Sequence, residues 1–143
     1  MIKFINHDRK FTAQGKTYIK SSLSDLFKRE KKVLGEIQYV FCSDEYLLQI
    51  NKRFLQHDYY TDIITFDLSS GKEVTAEIYI SVDRVKENAS AFDVPFRQEM
   101  LRVIFHGALH LCGYRDKTKG EITLMREKES EYLRKFERTN PKK

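Results

Sequence analysis

From Met100 to Leu111 the chain runs almost without charge, with Arg102 the one interior exception, and a run of that length suits a buried helix better than a strand. On a helix, His106 and His110 lie one turn apart and project from one face, where two imidazoles can share a metal ion. Gly113 follows at the offset where a glycine can take the left-handed conformation, stop the helix and reverse the chain. That reversal brings Asp116 back over the histidine face. Two histidines and one carboxylate make an open three-ligand site of the catalytic kind. Gln98, Arg102, His106 and His110 also recur every fourth residue, so a polar seam runs down an otherwise apolar helix. Polar groups in such a place need partners or a cleft.

The spacing H-x-x-x-H-x-x-G-x-x-D matches the long zincin-type motif with one change and one loss. The change is an acidic third ligand where a third histidine is usual. The loss is the Glu that follows the first histidine in metalloproteases and acts there as general base, because Gly107 takes its place. A peptidase reading is weakened accordingly.

With 143 residues, 41% of them hydrophobic, the chain has enough apolar material for one globular domain spanning 1–143. Its 26 basic and 21 acidic residues give a net charge of +5, a mild lean toward polyanionic partners that ordinary solubility explains equally well. Cys42 and Cys112 read as buried thiols of a reducing compartment, not as a disulfide framework. Cys112, from its helical position, points away from the histidine pair. No signal peptide opens the chain and no apolar run approaches membrane-spanning length, so a soluble cytoplasmic protein is expected.

Along the chain, Ile2 and Phe4 begin a first strand that ends in the polar turn Asn6-His7-Asp8. A helix is expected from about Lys16 to Lys32, its basic end favoured by the helix dipole. Gly35 breaks the pattern before a strand over Glu36–Cys42. Ser43 caps a helix to Phe54, and the polar loop 57–62 leads into a strand over Ile63–Phe66. Val74–Ile80 alternates as the next strand and should pair antiparallel with it. Ser81 caps a helix to Phe92, Asp93 and Pro95 open the motif helix, and a charged helix follows from about Lys119 to Phe136. The tail from Thr139 should be loose.

Three stretches together resemble the YbeY family of bacterial rRNA-maturation factors, which are metal-dependent single-strand endoribonucleases. They are His106-Gly107 through Leu109-His110-Leu111 to Gly113-Tyr114, the segment from Asn51 to Phe66 ending in Thr61-Asp62-Ile63-Ile64-Thr65-Phe66, and Ala76-Glu77-Ile78-Tyr79-Ile80-Ser81. The resemblance covers roughly the last two thirds of the chain. It implies a zincin-like α+β fold, with a mixed sheet of about four strands, surrounding helices and a central metal-binding helix. It also implies one Zn2+ ion, RNA as substrate in 16S rRNA 3′-end maturation and ribosome biogenesis or quality control, and the ribosome or its proteins as partners. Neither DNA nor a membrane is expected. This chain departs from the family at two places. Asp116 stands for the third histidine, a ligand that also suits a harder divalent ion, and Leu55 stands where the family has a catalytic arginine after the aromatic, here Phe54.

The expected site follows. His106, His110 and Asp116 hold the ion, Arg53, Arg102 or His57 takes over from the missing arginine, and Asp62, with Asp58 beside it, is the first choice of proton acceptor. Capping or turn formation is the plainer role for Asp62. His57, Tyr59 and Tyr114 are placed on the substrate, the tyrosines, Tyr60 among them, stacking on unpaired bases. A rival expectation is a ribosome-associated assembly or RNA-binding factor with feeble catalysis.

Overall fold

The computed structural model describes residues 1–139. In chain order the elements are β1 (Ile2–Asn6), α1 (Lys16–Arg29), β2 (Val33–Cys42), α2 (Asp44–Leu55), β3 (Ile63–Asp67), β4 (Glu73–Ser81), α3 (Val82–Phe92), α4 (Phe96–Leu111) and α5 (Lys119–Thr139). Thr139 closes α5, and the rest of the expected tail lies outside the described residues.

The strands form one mixed sheet in the order β1-β2-β4-β3, with β1 and β4 parallel to β2 and β3 antiparallel to β4. The β3–β4 pair is a hairpin because only a short loop joins the two, whereas each parallel pair needs a crossover that contains a helix. The fold is α+β, as expected. Alternation along the strands then divides the sheet into two faces. Ile37, Tyr39 and Phe41 of β2 and Ala76, Ile78 and Ile80 of β4 join the main core with α1, α3, α4 and α5. Cys42 and Ile64, with the flanking Tyr79, pack instead against Leu47 and Ile50 of α2.

Helix α4 is buried on most sides, and the Tyr39 hydroxyl donates to the Ile104 carbonyl at 2.8 Å across the core. It seats closely on the sheet at Gly107, where a Cβ would lie 3.0 Å from Ile63 Cδ1 and 3.1 Å from Ile78 Cδ1. Lacking a side chain there, the helix brings His106 and His110 beside β3. No helix among the described residues is long and apolar enough to cross a membrane.

Three details differ from the sequence expectation. Gly35 does not precede β2 but lies within it, at a register shift between Leu34 and Ile37, where a Cβ would fall 2.8 Å from the Val74 carbonyl oxygen. Asp93 does not open α4; it ends α3 in the left-handed conformation, with φ 56°, and Pro95 alone precedes the next helix. Asp8 is more than a turn residue. Its carboxylate accepts from the Ser43 backbone N–H at 2.7 Å and hydroxyl at 2.6 Å, while Ser43 Oγ accepts from Tyr46 N–H to cap α2.

Candidate metal centre and its cleft

Gly113 ends α4 with φ 102°, a conformation open to glycine at no steric cost, and the chain turns back. Tyr114 N–H closes the turn on the Leu109 carbonyl at 3.1 Å. Asp116 then lies over the histidines, its Oδ2 3.3 Å from His106 Nε2 and 3.4 Å from His110 Nε2. The three ligand atoms lie within 4.8 Å of one another. The sequence expectation for this turn and what the structure has there agree.

The other nitrogen of each ring is already used. His110 Nδ1 donates to the Tyr114 carbonyl at 2.9 Å, and because a carbonyl only accepts, that nitrogen carries the hydrogen. His106 Nδ1 lies 2.5 Å from Glu129 Oε2. Burial pushes the Glu129 carboxyl up, but the hydrogen bond from His106 and the charge of Arg102 outweigh it, leaving the group below its ordinary value and ionised. It too is an acceptor. With Nδ1 of each ring engaged, both Nε2 atoms face the same carboxylate oxygen, an arrangement that can hold a cation. The two histidine–Asp116 distances, 3.3 and 3.4 Å, match the edges of about 3.3–3.4 Å that tetrahedral ligation with bonds of about 2.0–2.1 Å gives.

Glu129, 1% exposed on α5, was not anticipated, nor was Glu99, 2% exposed on α4. Arg102 donates to both, at 2.7 Å to Glu99 Oε2 and 2.9 Å to Glu129 Oε1. These two carboxylates are the partners that the polar seam required. A signal existed in the sequence, because Glu129 stands four residues after Met125 and three before Tyr132, on the apolar stripe of α5.

The three candidate ligands open on a cleft of about 620 Å³ between the end of α4, β3 and the α2–β3 loop. Asp62, His57 and Tyr59 line it, as does Leu55. Burial pushes the Asp62 carboxyl above its ordinary value, against the opposing charges of Arg102 and His106. His57 and Tyr59 stack with ring centroids 5.1 Å apart, joined by a 2.9 Å hydrogen bond. Buried Asn51 anchors the loop, its side-chain amide donating to the Tyr59 carbonyl at 2.9 Å.

Other expected site residues lie elsewhere. Arg53 lines a separate, more apolar cavity with Phe54, Phe66 and Tyr79, because α2 turns it away from Leu55. Asp58 is paired with Lys52 at 3.3 Å and does not line the cleft. Tyr60 lies under Arg84. The Tyr114 ring points away from the cleft, its hydroxyl donating to Glu30 at 2.8 Å, although its carbonyl orients His110. Cys112 lies on that same far side, and burial pushes its thiol up to about 12.

Comparison with known proteins agrees with this fold. The profile of one family, described as "Endoribonuclease YbeY", matches residues 2–137, well beyond the last two thirds where the resemblance is visible by eye. The curated Endoribonuclease YbeY of Flavobacterium psychrophilum is 48% identical over 136 residues, covering 95% of this chain and 96% of that protein. That of Cytophaga hutchinsonii is 49% identical over 138 residues, covering 94% and 96%. The solution structure of TM1509 from Thermotoga maritima superposes with a TM-score of 0.66 at 28% identity, over 99% of this chain and 94% of that one. Matched along nearly its whole length by profile, sequence and fold, the chain belongs to the YbeY family of endoribonucleases.

Proposed function

We propose that the cleft hydrolyses phosphodiester bonds of single-stranded RNA with one Zn2+ ion held by His106, His110 and Asp116. The observation that supports the reading is the convergence of two oriented Nε2 atoms on one carboxylate oxygen, 3.3 and 3.4 Å away, with all three within 4.8 Å of one another. When bound, such an ion lowers the pKa of a water and draws charge from phosphoryl oxygens. His106 and His110 present fixed lone pairs because Glu129 and the Tyr114 carbonyl hold their Nδ1 hydrogens. Asp62, with its raised pKa, accepts the proton of the attacking water. The exposed His57–Tyr59 stack offers a ring face to an unpaired base.

The substrate in this proposal is the 3′ end of 16S rRNA, cut in the cytoplasm on or beside the ribosome during its maturation and quality control. The family membership and the net charge of +5 support an RNA partner. The test compares wild type with His110→Ala on a single-stranded oligoribonucleotide, with bound metal measured by elemental analysis. Wild type should carry about one equivalent of zinc and cleave; the variant should lose both. Equal cleavage by the two would sink the reading.

A second reading, an RNA-bound assembly factor that turns over poorly, is favoured by one observation. Of the two arginines considered for phosphate contact, Arg53 lines another cavity and Arg102 is held by two carboxylates. Wild type that retains zinc and binds RNA without cutting it would decide for this reading.

A further inference from the structure

The cleft is short of positive charge. Asp62, Asp67 and Asp116 line it, and Lys117 is the one lysine or arginine that does so among the described residues. A phosphodiester carries its own negative charge and gathers more during hydrolysis, so a cation beside the ion's ligands has an electrostatic task ready for it. Arg102 is committed to Glu99 and Glu129, Lys52 to Asp58, and Arg53 to the ring of Phe54, with its centroid 5.6 Å away, while Arg115 lines a different cavity with Cys112 and Tyr114. The ion pairs of the described residues do not include Lys117.

Its backbone is nonetheless fixed. Glu121 Oε1 accepts from Lys117 N–H at 3.1 Å and from Thr118 N–H at 3.0 Å, while Thr118 Oγ1 accepts from Glu121 N–H at 3.1 Å, a reciprocal cap on the first turn of α5. One residue earlier, Asp116 reaches both histidines. The lysine thus starts from an anchored point beside the reaction centre, with a free ammonium and a flexible stem.

We propose that Lys117 is a catalytic residue whose ammonium contacts a non-bridging phosphoryl oxygen of the RNA, supplying the charge that Leu55 does not. This rests on the hydrolytic reading of the cleft given above. Leu55, 40% exposed, lines the same cleft and so gives a second place from which a cation can be supplied.

The experiment uses Lys117→Met, Lys117→Arg and a double variant that combines Lys117→Met with Leu55→Arg, with wild type and His110→Ala as references. Lys117→Met should lose about 100-fold in kcat/KM on a single-stranded oligoribonucleotide, the size expected for removing one stabilising group. Lys117→Arg should stay within about tenfold of wild type, since it keeps the charge. Adding Leu55→Arg to Lys117→Met should restore part of the loss. Metal content should be unchanged throughout, because the ammonium is not a ligand; loss of metal in Lys117→Met would overturn the role.

Binding is measured in parallel on chelator-stripped protein, from the anisotropy of a fluorescein-labelled oligoribonucleotide at several salt concentrations. Loss of one phosphate contact should lower the slope of log K against log salt by about 0.7. If Lys117→Met cleaves and binds as wild type does while His110→Ala is dead, the lysine has no role and the hydrolytic reading survives. If wild type and His110→Ala cleave alike, that reading fails, and the stripped-protein slope still decides whether Lys117 touches RNA.

Discussion

Glu129 Oε2 lies 2.5 Å from His106 Nδ1, and Oε1 of the same carboxylate takes a 2.9 Å hydrogen bond from Arg102. One buried acid on α5 thus orients one of the candidate ligands and neutralises the seam of α4. Glu129→Gln should weaken zinc binding about 10- to 100-fold, the usual cost of losing a group that orients a ligand. A competition titration with a chromophoric chelator reads this directly. Glu129→Ala should also cost about 3–5 kcal/mol in urea unfolding, since it leaves Arg102 less than fully paired in a buried setting.

Asp116 contributes differently, because its side chain is 41% exposed. Asp116→Ala should release the metal with little change in urea midpoint. Asp116→His should keep zinc and raise its preference over manganese, because imidazole suits zinc and carboxylate suits the harder ion. Affinities for the two metals, measured side by side, check the reversal.

Asp62 sits in an environment that disfavours its charge, so its ionised form costs stability at neutral pH. Asp62→Asn removes that cost. Thermal unfolding should show a protein at least as stable as wild type, while kcat falls about 100-fold or more if Asp62 is the proton acceptor proposed above. A variant that melts higher and cleaves as before would remove Asp62 from the chemistry.

The acid limb of stability is set by the opposite kind of group. Burial raises the Glu30 carboxyl, but hydrogen bonds from Tyr132 and Tyr114, with Lys128 nearby, bring it below its ordinary value of 4.5, and Glu129 is lowered likewise. A depressed folded pKa stabilises fully above the unfolded value and is lost as pH falls through the folded one. Urea midpoints should therefore hold above about pH 5 and drop below pH 4.5. Glu30→Gln should lower the neutral plateau and flatten the drop.

Both thiols should be inert in the native state. Burial pushes Cys42 and Cys112 each up to about 12, so neither is a thiolate near neutral pH. Ellman's reagent should react slowly with folded protein and release two equivalents once urea is added.

Local chemistry made much of this legible in the sequence. The helical spacing of His106 and His110, the stop at Gly113 and the return of Asp116 are all set within one short stretch, as are the Ser43 and Ser81 caps. What escaped was the chemistry that joins distant segments. Glu129 meets His106 across 23 residues, and Tyr114 turns to Glu30 across 84. Arg53 is instructive because its position was within reach. It stands two residues before Leu55, so on a helix it points some 200° away and cannot share that residue's cleft, whereas Asn51, one turn back, does. The insertion of β4 between β2 and β3 was hidden for the same reason, being decided by which faces cover which and not by any local pattern.

Gly107 closes a door as well as a gap. A peptidase relative would carry its general base at that position, yet here Ile63 and Ile78 stand where even a methyl group would press. Gly107→Ala should change stability by no more than about 1 kcal/mol, the helix propensity gained offsetting the shift of the Ile63 and Ile78 methyls, whereas a glutamate has a charged chain to place against the same isoleucines. The seating that places His106 and His110 beside β3 thus crowds position 107, and in the proposed chemistry the proton acceptor comes from outside α4.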